Sequence, residues 1–206
     1  MSPPLVLASA SPRRADLLRA AGFAFEIFST NVDESRAVGE SPRHYVLRVA
    51  AAKGRWAAAR MIDRAIVSAD TVVVVDDEVL GKPRDAADAR RMLEMLSGRA
   101  HTVLTGVCLT APGLEPDELE VGADGDGGRG TRCAVESTTV EFASLTPGDI
   151  DWYVATGEPL DKAGAYAIQG LASRFVMRID GSYSNVVGLP VALVCRLCNE
   201  AGILLS

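Results

Sequence analysis

Short apolar runs alternate with amphipathic, alanine-rich stretches along most of the chain, and regular signals punctuate them. Leu5-Val-Leu-Ala8 reads as a strand. A small-residue turn follows, then a helix with Ser11 as N-cap, Pro12 at its first position and Gly22 as its stop. The same start signal recurs at Ser41-Pro42 and Thr146-Pro147, predicting helices over about 42–61 and 149–156. Residues 65–75 are a β-branched apolar run, predicted as a central strand that turns at Asp76-Asp77-Glu78 and returns through Val79-Leu80. Asp85 caps a helix to about Leu96, with Met92, Leu93 and Leu96 on its apolar face and Gly98 as its stop. Strands are predicted over 103–110, 134–142 and 173–179, and a terminal helix over 190–201. Strands and helices alternate without an internal repeat, which predicts an α/β fold with a mixed sheet.

The 206 residues make one domain of ordinary size or two small lobes, long enough to bury a core. No apolar run approaches the ~20 residues that span a bilayer. The N-terminus lacks a basic start followed by an apolar segment, so a cytoplasmic protein with no membrane partner is expected. The net charge of −6 argues against a protein that coats a nucleic acid polymer. Much of that charge is local: the stretch 112–132 holds six acidic residues, two arginines and six glycines. It is expected to be a flexible acidic surface loop inserted between two strands, dispensable for chemistry.

Cysteines and histidines are too few and too poorly spaced for a zinc site. Cys195 and Cys198 share one face of the terminal helix and read as core packing. The two histidines, His44 and His101, have no neighbours that suggest a metal site or a Ser-His-Asp triad.

Four polar clusters interrupt the apolar pattern. In the first, Ser9 and Ser11 precede Arg13 and Arg14, which oppose the helix dipole from the first turn. Either the arginines are solvated on an exposed turn, or a bound anion resolves the conflict by meeting backbone N–H groups and two guanidiniums. The second cluster is Asn31-Val32-Asp33-Glu34, whose Glu34 reads equally as part of a solvated turn. The third is Ser68-Ala69-Asp70-Thr71 inside the most apolar strand, with Lys82 beyond its hairpin. A desolvated Asp70 requires a metal, a cation or several donors; the alternative is a structural carboxylate at a strand kink. The fourth runs from Asp161 to Gly170, where Gln169 is either a base reader or a satisfied structural amide. Lys53 lies in a helix where a solvated lysine is the default. Cations, a helix N-terminus and carboxylates together suit a polyphosphate with its metal. No Gly-x-x-x-x-Gly-Lys-Ser/Thr loop is present, which excludes a P-loop enzyme.

The ordered motifs Leu-Ala-Ser-Ala-Ser-Pro-Arg-Arg (7–14), Val-Asp-Glu (32–34), Ala-Ala-Lys (51–53), Ser-Ala-Asp-Thr (68–71), Leu-Gly-Lys-Pro (80–83), Thr-Gly-Glu-Pro (156–159), Lys-Ala-Gly-Ala-Tyr-Ala-Ile-Gln-Gly (162–170) and Val-Val-Gly-Leu-Pro (186–190) carry a resemblance. With them the chain resembles the Maf family of nucleoside triphosphate pyrophosphatases, also called septum-formation inhibitor proteins, over nearly its whole length. The resemblance implies a single domain over 1–206 with an elongated mixed sheet flanked by helices. It implies two lobes around a cleft, as in inosine-triphosphate pyrophosphatases.

It also implies hydrolysis of a nucleoside triphosphate to monophosphate and pyrophosphate with a divalent metal cation, Mg²⁺ or Mn²⁺, in a homodimer. Asp70 would be the general base and a metal ligand, and Glu34 would help place the metal. Ser9, Arg13, Arg14, Lys53 and Lys82 would bind substrate. Thr71 after Asp70, with Ile168-Gln169-Gly170, looks like the branch acting on dTTP and UTP, making Arg13, Thr71 and Gln169 specificity positions. An amide both donates and accepts, which matches a uracil or thymine edge. Three other readings stay open: modified pyrimidine nucleotides such as 5-methyl-UTP or pseudo-UTP, a 7-methyl-GTP-type pyrophosphatase, and a nucleotide-binding regulator of cell division.

Overall fold

A computed structural model describes residues 5–115 and 129–203. In chain order the strands are β1 (Leu5–Ala8), β2 (Phe25–Ile27), β3 (Ile66–Val75), β4 (Glu78–Leu80), β5 (Ala100–Pro112), β6 (Arg129–Phe142) and β7 (Val176–Asp180). The helices are α1 (Pro12–Ala20), α2 (Pro42–Ala58), α3 (Ala86–Leu96), α4 (Pro147–Ala155), α5 (Tyr183–Val187) and α6 (Val191–Glu200), with short 3-10 helices between α4 and β7. Among the described residues the strands form one seven-stranded sheet in the order β2-β1-β3-β5-β6-β7, with β4 on β3. β1 runs parallel to β2 and β3, whereas β4 and β7 pair antiparallel with β3 and β6. The α/β class and the mixed sheet are therefore as the sequence predicts.

The chain divides into two compact units. The first comprises Met1–Asp70, Thr105–Glu136 and Gly188–Ser206; the second comprises Thr71–Leu104 and Ser137–Val187.

In the first unit, strand alternation sorts side chains onto two faces. Leu5, Leu7, Val67, Ala69, Val107 and Leu109 pack with Leu18 of α1 and with Leu193, Val194, Leu197 and Cys198 of α6. Cys195 packs against the same cluster, so both helix cysteines belong to the core. The opposite face carries Val6, Ala8 and Ile66 against Ala57 and Ala58 of α2, and Cys108 against Leu47, Ala50 and Ala51. Small residues let α2 sit close. A Cβ on Gly106 would meet the Val46 carbonyl oxygen at 2.5 Å, and one on Gly54 would meet Ser68 Oγ at 2.9 Å. Ser68 Oγ in turn donates to the Ala50 carbonyl at 2.7 Å.

The second unit is built on an aromatic core. Phe142 stacks edge-to-face on His101 and Tyr166, and Phe175 meets Tyr153 and Trp152 in the same manner. Asp76 and Asp77 turn the β3–β4 hairpin with φ of 48° and 64°, the left-handed pair of a tight two-residue hairpin that Asp tolerates.

Three expectations need correction, and one covalent link is new. The predicted strand 173–179 begins three residues later, because the 3-10 helix Leu171–Phe175 precedes β7. Ser11 stands at the N-cap of α1 but its side chain makes no capping bond. β5 and β6 each extend beyond the predicted strands, so 129–132 is strand and not loop; 116–128 of the expected loop lies outside the described residues. Finally, Cys108 and Cys133 are joined as a disulfide with Cα atoms 4.1 Å apart, a pairing that the spacing did not suggest.

Candidate active site

Six of the predicted site residues belong to the first unit. Because Ile66, Ser68 and Asp70 share the face of β3 that meets α2, Asp70 continues a row directed at that helix. Lys53 Nζ donates to Asp70 Oδ1 at 2.8 Å, and lies 2.9 Å from Glu34 Oε1. Lys53 and Asp70 are buried, with side chains 8% and 10% exposed, while Glu34 is half exposed at 50%. One ammonium thus bridges two carboxylates at a partly desolvated point, and the default of a solvated Lys53 does not hold.

Ser9, at the end of β1, is buried beside this cluster's other cation. Arg14 Nε donates to the Gly188 carbonyl at 2.7 Å, and its Nη1 donates to the Ala69 carbonyl at 2.8 Å and to Ser9 Oγ at 3.2 Å. Arg14 therefore ties the end of β1 and the middle of β3 to the segment that leads into α6. Burial lowers its pKa, opposed by the negative charges of Asp70 and Glu34 nearby. Its ordinary pKa is high enough that it stays charged.

Arg13, in the same first turn, is partly exposed. Ser41, Asp85 and Thr146 each accept a backbone N–H in their helices, whereas Ser11 does not. The N–H groups at the start of α1 lack that local cap, with two guanidiniums in the same turn.

Three residues that the sequence did not single out hold Glu34 in place. The Tyr45 hydroxyl donates to the Glu34 carbonyl at 2.7 Å. Arg48 donates to the Ser35 carbonyl at 2.8 Å and grips both carboxylate oxygens of Glu40 at 2.7 and 2.9 Å. The guanidinium holds the Glu40 carboxyl below its usual pKa. Burial, with Asp70 and Glu34 adding, pushes Tyr45 up to about 12, so its hydroxyl remains a donor. No local pattern marks these contacts, since each joins α2 to a loop about ten residues away.

The remaining predicted residues belong to the second unit. Thr71 is partly exposed on β3, and Lys82 and Gln169 are exposed. The Gly164 N–H donates to the Gly81 carbonyl at 3.0 Å, which fastens the segment leading to Gln169 to the residue before Lys82. Gly164 and Ala165 reverse the chain there with φ of 68° and 58°, and a Cβ on Gly164 would stand 2.6 Å from Val73 Cγ2.

Among the described residues, no group of three or more His, Cys, Asp or Glu side chains gathers as a metal cage. Two carboxylates converging on one point are nonetheless the protein share of a Mg²⁺ shell that substrate phosphates and water complete. Glu34 and Asp70 fit that role. No helix among the described residues is long and apolar enough to cross a membrane.

The sequence profile of the Maf-like protein family matches residues 4–201. A protein of Anaeromyxobacter sp. (strain Fw109-5) named dTTP/UTP pyrophosphatase is 54% identical over 198 residues, covering 96% of this chain and 89% of its own. One of Koribacter versatilis (strain Ellin345) with the same name is 46% identical over 200 residues, covering 97% of this chain and 95% of its own. The Ham1 protein of Staphylococcus aureus shares the fold, with a TM-score of 0.50 at 13% identity over 96% of this chain and 98% of that one.

Proposed function

Because the chain belongs to the Maf-like protein family, we propose that it hydrolyses dTTP and UTP to the monophosphate and pyrophosphate. The observation that carries the reading is the contact of buried Lys53 with both Asp70 and Glu34, at 2.8 and 2.9 Å. A phosphoryl-transfer site needs an acid–base group, metal ligands and a cation together, and these three side chains offer them at one place. The relatives' names supply the nucleotides, and the motif around Gln169 agrees with a pyrimidine edge.

Asp70 orients a water molecule toward the α-phosphorus and takes its proton. Lys53 holds the carboxylate in place through its 2.8 Å hydrogen bond and lends positive charge to the phosphates. Ser9, Arg13, Arg14 and Lys82 serve the phosphate chain, with Arg14 also fixing the backbone beside Asp70. Glu34 and Asp70 would hold a divalent cation, which supplies Lewis-acid stabilisation of the phosphate charge when bound. Arg13, Thr71 and Gln169 select the nucleotide. A site that accepts both dTTP and UTP ignores the 2′-hydroxyl and the 5-methyl group. The same resemblance brings a cytoplasmic homodimer, which sedimentation checks for its oligomeric part.

The test is pyrophosphate release from a panel of nucleoside triphosphates with Mg²⁺, Mn²⁺ or EDTA. Metal-dependent cleavage of UTP and dTTP is the expected result. A preference for purine or 7-methylated purine nucleotides would keep the enzyme class and replace the substrate. Binding without release from any nucleotide would overturn the enzymatic reading in favour of a regulator.

A further inference from the structure

In the second unit, Gln169 sits on a turn whose two ends are held by one pair of side chains. The Gly170 N–H donates to the Ala167 carbonyl at 3.0 Å, closing a four-residue turn with Gln169 in its third position. On the near side, the Ala167 N–H donates to the Tyr153 hydroxyl at 3.1 Å. On the far side, the N–H groups of Leu171 and Ala172 donate to Glu158 Oε2 and Oε1 at 3.1 and 3.4 Å. The two anchors are themselves joined, since the Tyr153 hydroxyl donates to Glu158 Oε1 at 2.8 Å. Tyr153 is fully buried, whereas Gln169 is exposed.

The turn is built around the carboxylate. A Cβ on Gly170 would lie 2.3 Å from Glu158 Oε2, so no larger residue fits there unless Glu158 moves. Lys162 Nζ donates to the Glu158 carbonyl at 2.9 Å and steadies the backbone that carries it. Burial, with the Glu158 bond adding, raises the Tyr153 pKa, so the phenol stays protonated at working pH. A flexible amide reads a base edge only if its orientation is fixed, because rotation exchanges its donor and acceptor. The backbone bonds on both sides supply that restraint.

We infer that Tyr153 and Glu158 are positioning residues for nucleotide selection, clamping the turn that presents Gln169. The inference rests on the reading of Gln169 as the group that meets the base, and the experiment separates the two. kcat/KM is measured for UTP, dTTP and CTP with the whole chain and with Tyr153→Phe, Glu158→Gln, Gln169→Ala and the Tyr153→Phe/Gln169→Ala double variant. Loss of the Tyr153 hydroxyl, and with it the bonds to Ala167 and Glu158, is expected to lower the UTP-over-CTP ratio by roughly five- to tenfold or more in Tyr153→Phe. In the Gln169→Ala background the same change should lower the ratio no further, since the two residues act through one contact. Glu158→Gln keeps one acceptor oxygen and should lower the ratio by less. It takes the place of Tyr153→Phe in the cycle should that variant fail to fold. A merely structural role would reduce activity toward all three nucleotides alike and leave the ratio unchanged. If Gln169→Ala changes the ranking and neither clamp variant does, the clamp is overturned while Gln169 keeps its role. Additive losses in the double variant also overturn it. If Gln169→Ala leaves the ranking unchanged, the premise falls and the inference with it.

Discussion

Lys53 and Asp70 meet at 2.8 Å although seventeen residues separate them, because α2 lies against the face of β3 on which Asp70 stands. Both side chains are nearly buried, so each is the other's main compensation for lost hydration. Glu34 shares the ammonium from a more exposed position.

That pairing separates chemistry from support. Asp70→Asn retains an oxygen that accepts from Lys53, and Lys53 retains Glu34. The variant should fold with near-normal stability and lose ~10²–10⁴ in kcat, the range of a general base. Pyrophosphate release and thermal unfolding on the same preparation check it, and near-normal turnover would remove Asp70 from the mechanism.

Lys53→Met should behave in the opposite order. It leaves a buried carboxylate without its cation, which costs about 3–5 kcal/mol when the pair is fully desolvated. The half exposure of Glu34 places the expected loss toward the lower end. Urea unfolding in EDTA reads it directly, and an unchanged midpoint would mean that the pair carries no stability.

Metal dependence should run through Glu34. EDTA is expected to abolish pyrophosphate release and Mg²⁺ or Mn²⁺ to restore it. Glu34→Gln should raise the metal concentration needed for half-maximal activity, since affinity falls with the number of charged ligands. An unaltered metal titration would assign the cation to other groups.

A pH-sensitive point lies in the aromatic core. Burial lowers the pKa of His101 to about 4 from the usual 6.5. The unfolded chain therefore binds this proton more readily than the folded one. The stabilisation is complete above pH 6.5, is lost as pH falls toward 4, and is level below that. The whole change is worth about 3 kcal/mol. His101→Gln, which keeps a partner for the Tyr166 hydroxyl now 2.9 Å from Nε2, should flatten that part of the stability curve. Denaturant midpoints between pH 4 and 7 decide it.

Close approach of α2 can be tested without touching a polar residue. Gly106→Ala places a methyl 2.5 Å from the Val46 carbonyl oxygen, a backbone atom that cannot swing aside. Overpacking of this kind costs ~1–3 kcal/mol, and it should move α2 enough to lower kcat as well. Calorimetry and turnover together read the result; full retention of both would mean that the helix position is not critical.

Local pattern carried most of the element order, though not α5, together with the helix start signals at Pro12, Pro42 and Pro147 and the Asp-Asp hairpin, since each follows from backbone preferences within a few residues. It also exposed Asp70 as a carboxylate out of place in an apolar strand, and the ordered motifs carried the family. The same local reading misplaced the start of β7, because Glu158 draws the N–H groups of Leu171 and Ala172 into a turn from outside that window. Tertiary structure alone decided that Lys53 joins Asp70 to Glu34, that Arg14 binds backbone at Ala69 and Gly188, and that Cys108 faces Cys133. Those contacts depend on which faces of β3 and β5 meet which helix. Periodicity specifies that a face is buried; the packing of distant segments chooses the partner it is buried against.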